Sequence, residues 1–335
     1  MDGMLRQPNS NNKSISTCLG SRTGTRFNKS LANGFALVGI AIVLSLSTGC
    51  QTLHPFAQKT RAKIQSAQQW ANTGLDAFQK GHLDKAKGFF SRATESDPND
   101  YHNRANLART LYQSGDRQNA ILEMQQAADH SKGDPRLLIE LGEMYLAAGQ
   151  WLPARRQVDL ALESNNRYAP AWALSGKTAK AKGDFQQALA NFQRALGYEP
   201  DLPGVQLEIA DTYQRMGESL RALAAVEQLL SKHPKEEQPN EAIIAKSIAL
   251  MNLNQLSPAI DILQTASERD KANSEIFIRL GQAHMLAGNG SQARTVLNQG
   301  KRAFPNQPVF DQLASQISEQ ETRVATNTTD WPMRN

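Results

Sequence analysis

From residue 67 onward the chain repeats itself every 34 residues, and this period limits its possible folds more tightly than any other feature. Blocks start at 67, 101, 135, 169, 203, 240 and 274 and close at Gln307, with one insertion, Glu237-Gln238-Pro239, before the sixth. The twentieth position is alanine in all seven: Ala86, Ala120, Ala154, Ala188, Ala222, Ala259 and Ala293. So small a side chain in every block marks a place where two helices approach closely. The fifteenth position reads Gly81, Gly115, Gly149, Gly183, Gly217, Asn254 and Gly288. These are six glycines and the other residue that readily enters a left-handed backbone, as a tight turn requires. Each block therefore predicts a hairpin of two helices, A then B.

Other positions agree. The eighth is small (Gly74, Ala108, Gly142, Gly176, Ala210, Ser247, Gly281), and so is the twenty-seventh except at Leu229 (Ala93, Ala127, Ala161, Ala195, Ala266, Gly300). The twenty-fourth carries larger groups, Phe90, Met124, Val158, Phe192, Val226, Leu263 and Leu297. Pro98, Pro200, Pro234 and Pro305 end helix B.

With Trp70, Leu138, Trp172, Ile243 and Phe277 at the fourth position, this register resembles the tetratricopeptide repeat. The resemblance implies an all-α helical-hairpin solenoid, a right-handed superhelix of seven repeats: 67–100, 101–134, 135–168, 169–202, 203–236, 240–273 and 274–307. Val309, Phe310, Leu313 and Ile317 share one face of a further segment, predicting a capping helix over 308–324 and leaving 325–335 as a polar, disordered tail. Lys132, Asn166 and Lys271 replace the terminal proline in three blocks, and Arg104 and Gln206 replace the apolar group at the fourth position, predicting looser second and fifth repeats.

Ahead of the repeats, Arg22, Arg26 and Lys29 precede the apolar run 31–49, the order of an export signal. The run ends Leu46-Ser47-Thr48-Gly49-Cys50, which resembles the lipobox of bacterial lipoproteins with its Leu one residue earlier than usual. That resemblance implies a leader over 1–49, lipidation of Cys50 and a tether over 50–66. An uncleaved anchor over 31–49 and ordinary secretion are the alternatives. Anchored either way, the repeats are expected on the periplasmic side of the bacterial cell envelope, because positive residues before the run stay inside.

The net charge of +5 belongs to this leader, where five Lys and Arg oppose Asp2 alone. Beyond it 32 basic and 31 acidic residues nearly balance, so the basic stripe that nucleic-acid binding requires is missing. The two cysteines, Cys18 and Cys50, leave none in the body for a disulfide or a thiolate metal site.

By resemblance to the family, helix A lines the concave wall where proteins or peptides would bind. In repeats 2 to 5 this places Asn106, Arg109, Arg136, Glu140, Glu143, Lys177, Lys180, Glu208, Asp211 and Arg215 there, a lining of mixed sign suited to a polar segment. In repeats 6 and 7 it places Ile244, Ile248, Met251 and Met285 there, suited to an amphipathic helix or an apolar peptide, or else to core packing. The carboxylate clamp of some family members matches only at Asn106 and Arg136; Ala71, Leu75 and Glu140 stand where its other groups would be.

Catalytic and cofactor motifs do not occur. Gly176-Lys177-Thr178 resembles the end of a phosphate-binding loop, but Ala171 replaces its first glycine and the triplet falls inside a helix A. There is no HExxH and no GxSxG. The expectation is a scaffold without cofactor or metal that binds proteins or peptides and aids an envelope machine, with self-association as an alternative and an enzyme built on Glu140, Glu143 and Lys177 as a remote one.

Overall fold

The computed structural model describes the backbone of residues 36–202 and 204–329, and the side chains of 57–202 and 204–319. Among these residues the only regular elements are helices. They fall into two compact units, Met1–Ser164 and Asn165–Asn335.

The first unit holds α1 (Ala36–Gln79), α2 (Leu83–Ser96), α3 (Tyr101–Gln113), α4 (Arg117–His130), α5 (Pro135–Ala147) and α6 (Trp151–Ser164), paired in sequence as three hairpins. The second holds four hairpins: α7 (Ala169–Lys182) with α8 (Phe185–Tyr198), α9 (Val205–Arg215) with α10 (Ser219–Leu230), α11 (Asn240–Asn252) with α12 (Leu256–Arg269), and α13 (Ser274–Leu286) with α14 (Gly290–Ala303). A last helix, α15 (Val309–Thr329), packs on α13 and α14.

Five of the seven block starts coincide with a helix start: 101, 135, 169, 240 and 274. Side chains just before them help fix three of these. Asp100, Asp134 and Asn273 each accept a hydrogen bond from a backbone N–H of the first turn, satisfying a donor the helix leaves orphaned. The fifth block starts late, at Val205, because Gly204 sits at φ +78 and holds the chain out of the helix.

All seven fifteenth-position residues adopt positive φ, from 56° at Asn254 to 92° at Gly115. Ala86, Ala120, Ala154, Ala188, Ala222, Ala259 and Ala293 are completely buried, and the large groups at the twenty-fourth position, one turn further along the same helices, are buried with them. Those groups fill the gaps left by the eighth position. A Cβ on Gly176 would stand 2.4 Å from Cε1 of Phe192, and one on Gly281 would stand 2.6 Å from Cδ2 of Leu297.

Three expectations differ from the structure. Residues 50–66, expected as a tether outside the hairpins, are helical and belong to α1. Residues 325–329, expected as part of a disordered tail, continue α15, and 330–335 lie outside the described residues. The second repeat is not loosened by Arg104, whose Nη1 donates to Glu123 Oε2 at 3.0 Å and Gln126 Oε1 at 2.6 Å on the partner helix. Its site is the one where Trp70 and Trp172 lie beneath Arg92 and Arg194 in the first and fourth repeats, so cation and partner have traded helices. Where proline is replaced by Lys132, the turn is made by two positive-φ residues, Lys132 at 58° and Gly133 at 85°. The fifth repeat does keep a shortened first helix, 11 residues long.

A single 3-10 turn at Lys235–Glu237 leads into the insertion before the sixth block and shares Glu237 with it. Arg269, at the end of α12, donates to the carbonyls of Lys235 and Glu236 at 3.2 Å, to that of Gln238 at 2.8 Å, and to Asn240 Oδ1.

At the C-terminal end Phe310, Leu313 and Ile317 close over Phe277, Ile278, Ala293 and Leu297. Gly300 admits Phe310, since a Cβ there would meet Cε1 of that ring at 2.3 Å.

Of the expected leader 1–49, residues 1–35 lie outside the described residues, and from 36 through Cys50 only the backbone, on α1, is described. Among the described residues no helix is long and apolar enough to cross a membrane.

Candidate protein-binding surface

In the second unit the first helices of successive hairpins touch one another, α7 with α9, α9 with α11 and α11 with α13. Side chains on this face can therefore reach from one repeat to the next.

In the first unit, Arg109 of α3 donates to Glu140 of α5 through Nε (2.8 Å to Oε2) and Nη2 (2.9 Å to Oε1), a two-pronged pair largely shielded from solvent. Its Nη1 donates to Asn106 Oδ1 at 2.8 Å, and Asn106 is itself buried. Asn106 therefore positions Arg109 and offers nothing to a ligand. Arg136 turns back on Asp134, the cap of its own helix, at 2.6 Å. Glu143 and Lys177 are half-buried and each is engaged.

In the second unit, Lys180 of α7 donates to Glu208 at 2.5 Å and Asp211 at 2.6 Å, both on α9, and Arg215 donates to Asp211 at 3.0 Å. Burial pushes the Asp211 carboxyl up, but the hydrogen bonds and charges of Lys180 and Arg215 outweigh it and hold the carboxyl below its ordinary value. Further along, Gln214 Nε2 donates to the Ala245 carbonyl at 3.1 Å.

The charges of this lining are thus largely satisfied within the protein, by ties within first helices and between neighbouring ones. Opposite signs at the ninth position of one repeat and the sixth of the next (Arg109, Glu140), or at the twelfth and then the sixth and ninth (Lys180; Glu208, Asp211), were a sequence signal for this pairing.

The apolar residues of repeats 6 and 7 divide between core and surface. Ile244 and Met251 pack partly on the core around Leu263 and Ile276, Met285 partly on that around Phe310, and Ile248 is half-buried. Leu286, beside Met285, is 63% exposed and was not singled out from sequence.

Gly176-Lys177-Thr178 lies within α7, with Gly176 against Phe192 and the Thr178 hydroxyl donating to the Ser175 carbonyl at 2.8 Å. No N–H of a loop is free there to cradle a phosphate. Among the described residues no cluster of three or more His, Cys, Asp or Glu is placed to hold a metal ion. Glu140, one member of the remote enzyme site, is held by Arg109.

Tetratricopeptide-repeat family models match residues 71–135, 111–177, 179–246 and 250–317, which is most of the chain. The chain belongs to the tetratricopeptide-repeat family. Members of this family are typically protein-binding scaffolds. No curated protein matches the sequence significantly. Among solved structures, a tetratricopeptide repeat protein from Parabacteroides merdae is 15% identical, with a TM-score of 0.62 over 76% of this chain and 99% of that one. Yeast Tom70 is 16% identical, with a TM-score of 0.59 over 84% of this chain and 60% of its own. Cut9-Hcn1 of the APC/C is 17% identical, with a TM-score of 0.50 over 75% of this chain and 42% of its own. At these identities the likeness is one of fold.

Proposed function

We propose that this tetratricopeptide-repeat protein is a non-catalytic scaffold of the bacterial cell envelope, anchored through a lipid on Cys50 with its repeats on the periplasmic side. There it binds proteins or peptides along its first helices and aids assembly of an envelope complex such as a pilus, a secretion channel or cell-wall machinery. Anchorage is supported by the run 31–49 and the Leu46–Cys50 motif.

The observation that carries the binding half is the set of half-buried apolar residues Ile244, Ile248 and Met251 on α11 and Met285 on α13, with exposed Leu286 next to Met285 in the chain. A partner's apolar side chains would complete the packing that these residues begin. The charged ties of repeats 2 to 5 suit a polar segment that exchanges with them pair for pair, with little net attraction for either sign.

Photocrosslinking in intact cells tests this. A crosslinking residue at Ile248 should give a discrete adduct, and one at Leu160, exposed on α6, should give none. Adducts from Leu160 alone would move the binding surface to the second helices. Cys50→Ser should release the protein from membranes and remove the mass of the lipid; a protein that stays bound with unchanged mass refutes the lipid anchor.

A further inference from the structure

The first helix does more than open the first hairpin. Its C-terminal part packs on α2, burying Ala67, Ala71, Gly74 and Leu75, but residues 57–65 are exposed. At 100° per residue, Ala57 and Ile64 fall on the side of α1 that holds Ala71 and Leu75, with Thr60 beside them; Arg61 flanks Ile64 on one side and Lys63 on the other, and Lys59 lies beyond Lys63 toward the far face. Ile64 is 38% exposed. No Asp or Glu stands between Asp2 and Asp76, whereas from Asp76 onward 31 acidic residues face 29 basic ones.

From these observations we infer that residues 57–64 of α1 lie on an anionic phospholipid surface, with Ile64 dipping among the headgroups and Lys59, Arg61 and Lys63 pairing with phosphates. The inference rests on the membrane placement proposed above and adds a second, electrostatic contact to it. An apolar stripe flanked on both sides by cations suits the boundary between headgroups and acyl chains, where long basic side chains bury their stems and keep their charges in water. The rest of the chain, slightly acidic, gains nothing from such a surface. Cys50 lies only about 25 Å from Ala67 along a helix rising 1.5 Å per residue, so the acyl chains and the basic turns would act on the same patch of membrane.

The test uses the mature chain, residues 50–335, carrying Cys50→Ser, with Ile64→Cys bearing an environment-sensitive fluorophore. Vesicles containing phosphatidylglycerol should shift its emission to the blue, phosphatidylcholine vesicles should not, and salt should reverse the shift. Adding Lys59→Gln, Arg61→Gln and Lys63→Gln, all at exposed positions, should weaken the phosphatidylglycerol response on the order of a hundredfold. An equal shift with both lipids, no shift, or an unaffected triple variant would overturn the inference. Because Cys50 is absent from the assay, failure of lipidation in cells would remove the anchor and leave this result standing.

Discussion

Arg109 and Glu140 meet edge to edge across two hairpins, guanidinium Nε and Nη2 against the two carboxylate oxygens at 2.8 and 2.9 Å. Asn106 fixes the third nitrogen, and the side chains are only 12% and 20% exposed. A pair this shielded couples α3 to α5 more strongly than a surface ion pair would.

Arg109→Ala should therefore lower unfolding stability by about 1–3 kcal/mol, because it leaves Glu140 shielded and unpaired. Arg109→Lys should recover little of the loss, since an ammonium cannot make the forked contact. Denaturant melts of the two singles and the Arg109→Ala/Glu140→Ala double form the cycle that checks this. Additive losses would mean the pair carries no coupling.

Gly176→Ala should destabilise by about 1–3 kcal/mol through overpacking against Phe192. Trimming the ring, as Gly176→Ala/Phe192→Leu, should return part of that. Thermal melts of both variants are the measurement, and an innocuous single variant would show that the ring moves aside freely.

Lys132 holds φ at 58° with no glycine's freedom to do so. Lys132→Gly relieves left-handed strain while adding entropy to the unfolded chain, so a net gain of about 0.5–1 kcal/mol is expected. A denaturant midpoint that fails to rise would mean the lysine side chain contributes as much as its backbone strain takes away.

The Asp211 carboxyl sits below its ordinary value of 3.8 in the folded protein. Its contribution is thus present above that value and lost as pH falls through the lower folded one. The thermal midpoint should stay flat from neutral pH to about 4 and then fall more steeply in the native protein than in Asp211→Asn. With the side chain 42% exposed, screening keeps the difference within about 1 kcal/mol. Parallel curves would show that Lys180 and Arg215 do not hold the charged form.

Much of the fold was legible in the sequence because the repeat samples each structural position seven times. Ala120 alone says little, but seven alanines in register specify a helix contact, and Asn254 among six glycines specifies a left-handed turn. The residues misjudged were those whose environment departs from the repeat. Arg104 reads as a defect in the sequence because its partners, Glu123 and Gln126, lie on the other helix of the hairpin, outside any single-position comparison. The surface was harder still. Asn106 and Arg109 fall at groove positions, yet their hydrogen-bonding capacity is largely taken up by each other and by Glu140 on the next hairpin, a relation set by packing distance. Residues 51–66 lack the hairpin pattern and read as a tether, although their run of Gln, Lys and Ala is compatible with helix.

The turn at Lys235–Glu237 shows how a periodic architecture can tolerate a counting error. Three surplus residues would displace every later helix by most of a turn if they were threaded into one, but here they lie between α10 and α11, with Arg269 holding the carbonyls of Lys235 and Glu236 just ahead of them and that of Gln238 among them. The sixth and seventh repeats thereby keep their phase with Ala259 and Ala293 buried like their counterparts. This junction works as an expansion joint, a place where insertion, whether by evolution or by design of an epitope, can lengthen the chain while the hairpins on either side keep their own packing.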